Sequence, residues 1–77
     1  LVSVIETEIV FSNQSLGTIR IYWLNALGIP QFRGTVAPGQ DRSYDTYSTH
    51  TWVVRDASDN CIAAYTLAVL PGIAVID

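Results

Sequence analysis

"TIRIYWLN", residues 18–25, sets Ile19, Ile21 and Trp23 on one side of an extended chain and Thr18, Arg20 and Tyr22 on the other. Side chains on a strand alternate between faces, so this stretch reads as a β-strand with one buried and one wet face. The same period runs through "VIETEIVFSN" (4–13), where Ile5, Ile9 and Phe11 alternate with Glu6 and Glu8. It returns in "THTWVVRD" (49–56). A helical period is absent from these segments. "NCIAAYTLAVL" (60–70) carries helix-forming alanines, but Tyr65, Thr66, Val69 and the following Pro71 favour a strand.

The stretches between the strands carry turn chemistry. "NQSLG" (13–17) offers Asn13 and Ser15 as side chains that bond nearby backbone, and Gly17 as a position that permits positive φ. "NALGIP" (25–30), "APGQ" (37–40) and "ASDN" (57–60) read as further turns. Residues 30–36 make a short strand at most, beginning at or near an edge because Pro30 donates no hydrogen bond. "DRSYDTY" (41–47) is polar on both faces, which suits an edge strand or the lining of a groove. "CIAAYTLAVL" (61–70) returns from the hairpin and "GIAVID" (72–77) adds a last short strand. Six or seven short strands with regular turns define an all-β antiparallel sandwich or barrel.

The 77 residues make one domain, 1–77, and its start at Leu1 reads as a module excised from a longer chain. Arginines number four and acids seven, with no lysine, for a net charge of −3. That leaves no basic footprint for nucleic acid. No apolar run approaches the roughly 20 residues of a membrane helix, since Pro71 and Gly72 interrupt the longest one. Cys61 is the lone cysteine, so no intrachain disulfide forms; this fits a reducing compartment, and no targeting segment assigns a location. A metal site would have to combine the single His50 with carboxylates such as Asp45, a weak set of ligands. Ser43 or Ser48 with His50 and Asp56 makes a triad only on paper, with no nucleophile elbow around it. No phosphate-binding glycine loop is present. The chain is read as a non-enzyme with no catalytic residue, no metal and no cofactor.

Residues 21–57, "IYWLNALGIPQFRGTVAPGQDRSYDTYSTHTWVVRDA", resemble the β domain of the von Hippel–Lindau tumour suppressor family. The similarity rests on Trp23-Leu24-Asn25, Gly28-Ile29-Pro30-Gln31, Pro38-Gly39, and the run Tyr47, His50, Trp52, Arg55, Asp56, in order and without gaps. Weaker similarity reaches back to "VFSNQS" (10–15) and forward to "VLP" (69–71). The resemblance implies a β-sandwich of about seven strands and a peptide-recognition role. In that family an extended peptide binds by strand-like backbone bonds and a hydroxylated proline sits in an aromatic pocket.

Carried over by residue, the resemblance makes Trp23 and Trp52 the pocket tryptophans and His50 a partner of the proline hydroxyl. Thr46 stands for a serine that makes the companion bond, and Tyr47 for a tyrosine on the groove wall. Arg33 replaces the pocket tyrosine, with Phe32 just before it, and Asp45 replaces a histidine beside the peptide. Arg33 is expected to weaken hydroxyl readout, because it removes an aromatic wall and adds a mobile charge. The similarity does not extend to the family's helical domain, which recruits the elongin adaptor, so no elongin binding is expected.

His50 and Trp52 lie two apart, so a strand through them puts both on one side, with Thr46 of the same parity if a tight turn at Ser48-Thr49 keeps the facing. A mixed polar and aromatic face of this kind suits specific binding. The competing reading makes the tryptophans core residues, with Trp23 ending the Ile19-Ile21 stripe. The expected function is thus a peptide-recognition sandwich with a proline or hydroxyproline pocket lined by Trp23, Arg33, Thr46, Tyr47, His50 and Trp52. The alternatives are a structural sandwich whose pocket has decayed, or a carbohydrate-binding module using Tyr22, Tyr44 and Tyr65 as a platform. Arg55 and Asp56 are read as structural, closing a strand end, with Arg20 beside Arg55 on an outer face.

Overall fold

The computed structural model of the chain describes residues 6–47, 50–66 and 72–77. Seven strands follow one another: β1 (Glu6–Asn13), β2 (Ile19–Leu24), β3 (Pro30–Val36), β4 (Asp41–Tyr47), β5 (Thr51–Asp56), β6 (Cys61–Thr66) and β7 (Gly72–Ile76). They form two sheets, ordered β4-β1-β7 and β3-β2-β5-β6, and no helix occurs among the described residues. The expected all-β sandwich of about seven strands is the observed architecture. The expected turn at Ser48-Thr49 and the expected strand residues 67–70 lie outside the described residues.

The alternation that marked the strands also builds the core. Ile9 and Phe11 of β1, Ile19 and Ile21 of β2, Val36 of β3, Trp52 and Val54 of β5, and Ala74 and Ile76 of β7 pack between the sheets. Phe11 sits at the centre, its ring 6.0 Å from Tyr44, 5.9 Å from Trp52 and 6.2 Å from Tyr65. Edge-to-face and tilted pairs of this kind suit the aromatic quadrupole. On the outer face of the larger sheet, Arg20 and Arg55 are register partners, as expected, and the Arg55 guanidinium lies 4.7 Å from the Tyr22 ring centre.

β3 spans Pro30–Val36, the bounds expected for a short strand, and begins at Pro30 on an edge of its sheet. It carries a bulge, because Tyr22 pairs with Phe32 while Ile21 pairs with Gly34, leaving Arg33 as the extra residue. That bulge interrupts the period-2 alternation inside the strand. β7 runs parallel to β1, whereas the other pairings are antiparallel. The chain crosses from one sheet to the other between β6 and β7, and the direction of such a crossing leaves no mark on side-chain alternation. β4 is an edge strand as expected, but it is not polar on both faces in effect: Thr46 is buried and Tyr44 half-buried on its inner side. Gly17 does not adopt positive φ; Gly28 (77°) and Gly39 (78°) do, each in a turn. Pro38 and Gly39 form the middle of the Ala37–Gln40 turn, closed by Gln40 N–H donating to the Ala37 carbonyl at 3.1 Å.

Asn13, read as a turn residue, ends β1 with no solvent exposure. Its Nδ2 donates to the Gly17 carbonyl and to the Val36 carbonyl, each at 2.9 Å, while its Oδ1 accepts from Ser15 N–H at 3.0 Å. One amide thus closes the β1–β2 turn and ties β1 to β3 in the other sheet.

Asp56 closes the β5–β6 hairpin, as its structural reading anticipated. Its Oδ1 accepts from the Ser58 and Asn60 N–H groups at 2.9 Å each, and Asp59 takes φ 67° in the turn. Arg55 pairs with Asp59 at 3.3 Å. The backbone N–H and side-chain amide of Asn60 hold the Asp56 carboxyl below its ordinary value of 3.8. A carboxylate so depressed contributes its stabilisation above the unfolded value and loses it as pH falls through the folded value. A carbon-detected NMR titration is expected to place the Asp56 midpoint below 3.8. In Asn60→Ala the midpoint is expected to move up, because the side-chain bond is gone; an unmoved midpoint would assign the shift elsewhere.

Candidate functional site

β2 and β5 are neighbours, and their register sets Trp23 directly opposite Trp52 on the inner face. Beside them runs β4, an edge strand of the other sheet. The result is a cleft of about 510 Å³ lined by Trp23, Arg33, Thr46, Tyr47, His50 and Trp52, together with Tyr44 and Asp45. All six residues carried over from the resemblance therefore line one surface depression. Two further depressions adjoin it. One, of about 500 Å³, shares Trp23 and His50 and continues past Asn25 and Gly28. The other, of about 340 Å³, shares Asp45, Thr46 and Tyr47 and continues to Glu6 and Thr7.

The two tryptophans differ in role. Trp52 is only 3% exposed and forms the floor, its ring 5.1 Å from Tyr44 and 5.9 Å from Phe11. Its indole Nε1–H donates to Thr46 Oγ1 at 2.9 Å. Thr46, 4% exposed, then keeps its own O–H and one lone pair for another partner. Trp23, expected as the end of a buried stripe, is only half-buried: it rests on the core and turns its other side to the cleft. The core and wall readings of the aromatic pair thus divide between two residues.

His50 pairs with Trp23 rather than with its sequence neighbour Trp52. Trp23 Nε1–H donates to His50 Nδ1 at 3.2 Å, and the rings lie 5.5 Å apart. The indole N–H is a donor only, so Nδ1 must be the accepting nitrogen and the neutral imidazole carries its proton on Nε2. Tyr47 lies 5.4 Å from the imidazole on its other side, and His50 N–H donates to the Tyr47 carbonyl at 3.3 Å across the β4–β5 connection. Tyr47, His50 and Trp23 form one side of the cleft.

Arg33 completes that side. The β3 bulge aims it inward, and its guanidinium carbon lies 5.3 Å from the Trp23 ring centre, a cation–π contact. Gly34, next in the bulge, makes room for β4: a Cβ there would stand 2.8 Å from both Arg42 Nη1 and Tyr44 Oη. Tyr44 is the lining residue that sequence reasoning placed elsewhere. Its parity with Thr46 on β4 was the available signal. Its hydroxyl is buried without a partner among the described residues, and burial raises its pKa above 10.0 against the lowering effect of Arg42 and Arg33.

The proposed tyrosine platform does not form. Tyr22 faces outward against Phe32 and Arg55, while Tyr44 and Tyr65 face inward against Phe11. Flat sugar-binding surfaces need their rings on one face, so this geometry gives the carbohydrate reading no support. Among the described residues no group of three metal-ligating side chains comes together.

Residues 1–66 match the family model described as VHL beta domain, and the chain belongs to that family. Its β domain is a substrate-recognition module that binds protein partners.

Proposed function

We propose that this chain is a non-catalytic module that binds an extended peptide along β4 and seats a proline ring, preferably hydroxylated, against Trp23 and Trp52. The observation that carries the reading is the convergence in one cleft of two register-paired indoles with the His50 Nε2–H and the Thr46 hydroxyl. β4 pairs only with β1 among the described residues, so its outer edge offers backbone donors and acceptors to an added strand. A ring hydroxyl would accept from His50 Nε2–H and donate to Thr46 Oγ1. Unmodified proline would leave both groups desolvated and unmatched, at about 1–3 kcal/mol per group.

Calorimetry with matched peptides tests this. Hydroxyproline is expected to bind about tenfold or more tightly than proline. In His50→Ala that preference is expected to fall below about threefold, since one of the two hydroxyl partners is gone. Equal affinities in the parent domain would reduce the site to an aromatic groove without hydroxyl readout. Absence of binding by either peptide would favour the structural alternative. One observation already leans that way: the Arg33 guanidinium covers part of Trp23.

A further inference from the structure

Among the described residues, the guanidinium groups at the Arg33 end of the cleft have no carboxylate partner. Arg33 lies over Trp23 and Arg42 lies 5.4 Å from the Tyr44 ring centre, so both guanidinia are parked on aromatic faces. Among the described residues the one ion pair joins Arg55 to Asp59, and no carboxylate lies within 4.0 Å of Arg33 or Arg42. Among the described residues Arg42 makes one long side-chain bond, to the Thr35 carbonyl at 3.4 Å. Between them, the Tyr44 hydroxyl is buried and unpartnered. A Cβ on Gly34, the residue after Arg33, would stand 2.8 Å from both Arg42 Nη1 and the Tyr44 hydroxyl, so Arg42 and Tyr44 meet beside the Arg33 bulge. Asp45 also lines the cleft, but it is exposed and borders the depression that leads to Glu6 and Thr7. The groove therefore has a cationic side, across the bulge on β3, and an acidic one.

We infer that the cationic side formed by Arg33 and Arg42 receives a carboxylate of the bound peptide, from an aspartate or glutamate side chain next to the residue held by the tryptophans. This rests on the peptide-binding reading and adds a charge requirement to it. A side chain is the source, rather than a free C-terminus, because the groove runs on past the cleft at both ends, by Asn25 and Gly28 and by Glu6 and Thr7. A peptide in such a groove passes through. Guanidinium–carboxylate bonds are charge-assisted and directional, and Arg33 stacked on an indole is preorganised to make them.

The test uses hydroxyproline peptides with glutamate, glutamine or lysine at each neighbouring position, and the glutamine peptide with a free or an amidated C-terminus. At low salt the best glutamate peptide is expected to bind about tenfold tighter than its glutamine match, with lysine weakest and the gap narrowing as salt is raised. In the Arg33→Gln, Arg42→Gln double variant, the glutamate-to-glutamine ratio is expected to fall to about one, whatever the absolute affinities. Both residues are exposed, so a retained amide spectrum confirms the fold of that variant. Equal binding of glutamate and glutamine peptides would overturn this inference and leave the peptide site standing. So would a glutamate preference that survives in the variant, or a gain given by the free C-terminus alone. If no peptide binds the parent domain, both readings fall.

Discussion

Trp52→Ala is expected to lower the unfolding free energy by about 3–5 kcal/mol. The indole is 3% exposed and packs between Phe11 and Tyr44, so its removal leaves a cavity that rigid strand backbones cannot close. It also strips Thr46 of the N–H that its buried hydroxyl accepts. A domain of this size holds only about 4–12 kcal/mol in total, so the variant gives up a large share of its stability. Trp52→Phe keeps a ring between Phe11 and Tyr44 and should cost less than half as much. Trp23→Ala, at a half-buried position, should also cost less than Trp52→Ala. Urea denaturation of the three variants checks the order. A loss below about 1 kcal/mol in Trp52→Ala would mean that the floor of the cleft is not part of the core.

Asn13→Ala should cost about 2–4 kcal/mol, a large effect for one amide. The side chain sits in the core with no exposure and spends both N–H groups on carbonyls in two different parts of the fold. Alanine leaves the buried Val36 carbonyl without that donor and releases the Ser15 end of the β1–β2 turn. Asn13→Asp should be worse still, because it turns a carboxylate oxygen toward those same carbonyl oxygens and buries a charge. Thermal unfolding ranks the two variants. Hydrogen exchange should show the loss of protection centred on Asn13, Gly17 and Val36. A ranking with aspartate equal to the parent would contradict the bonding described for this amide.

The strands were legible because one face of each is apolar and the other wet. Ile9 and Phe11, Ile19 and Ile21, and Trp52 and Val54 follow the period without interruption, and all six are core. The pattern fails where the backbone departs from regular pairing. At the Arg33–Gly34 bulge two consecutive residues face inward, so alternation along β3 gave no signal for the direction of Arg33. Asn13 looked like turn chemistry because its sequence neighbours are turn formers; that it also reaches Val36 depends on how two sheets stack, 23 positions apart in sequence. The cleft residues emerged from the family resemblance, and their partnerships did not. Sequence proximity joined His50 to Trp52, whereas the register of β2 against β5 brings Trp23 to His50 and frees Trp52 for Thr46. Tyr44 was hidden by the polar residues around it, although its parity with Thr46 already put the two on one side of β4.

The proposed binding mode puts a proline-type ring in the cleft between the two tryptophans. Intermolecular nuclear Overhauser effects between an unlabelled hydroxyproline peptide and the isotope-labelled domain test it most directly. The account predicts contacts from the ring protons of hydroxyproline to the indoles of both Trp23 and Trp52, with shifts in the Thr46 and His50 signals. A peptide that binds but whose ring protons contact neither indole, touching instead the exposed outer face at Ile73 and Val75, would contradict it.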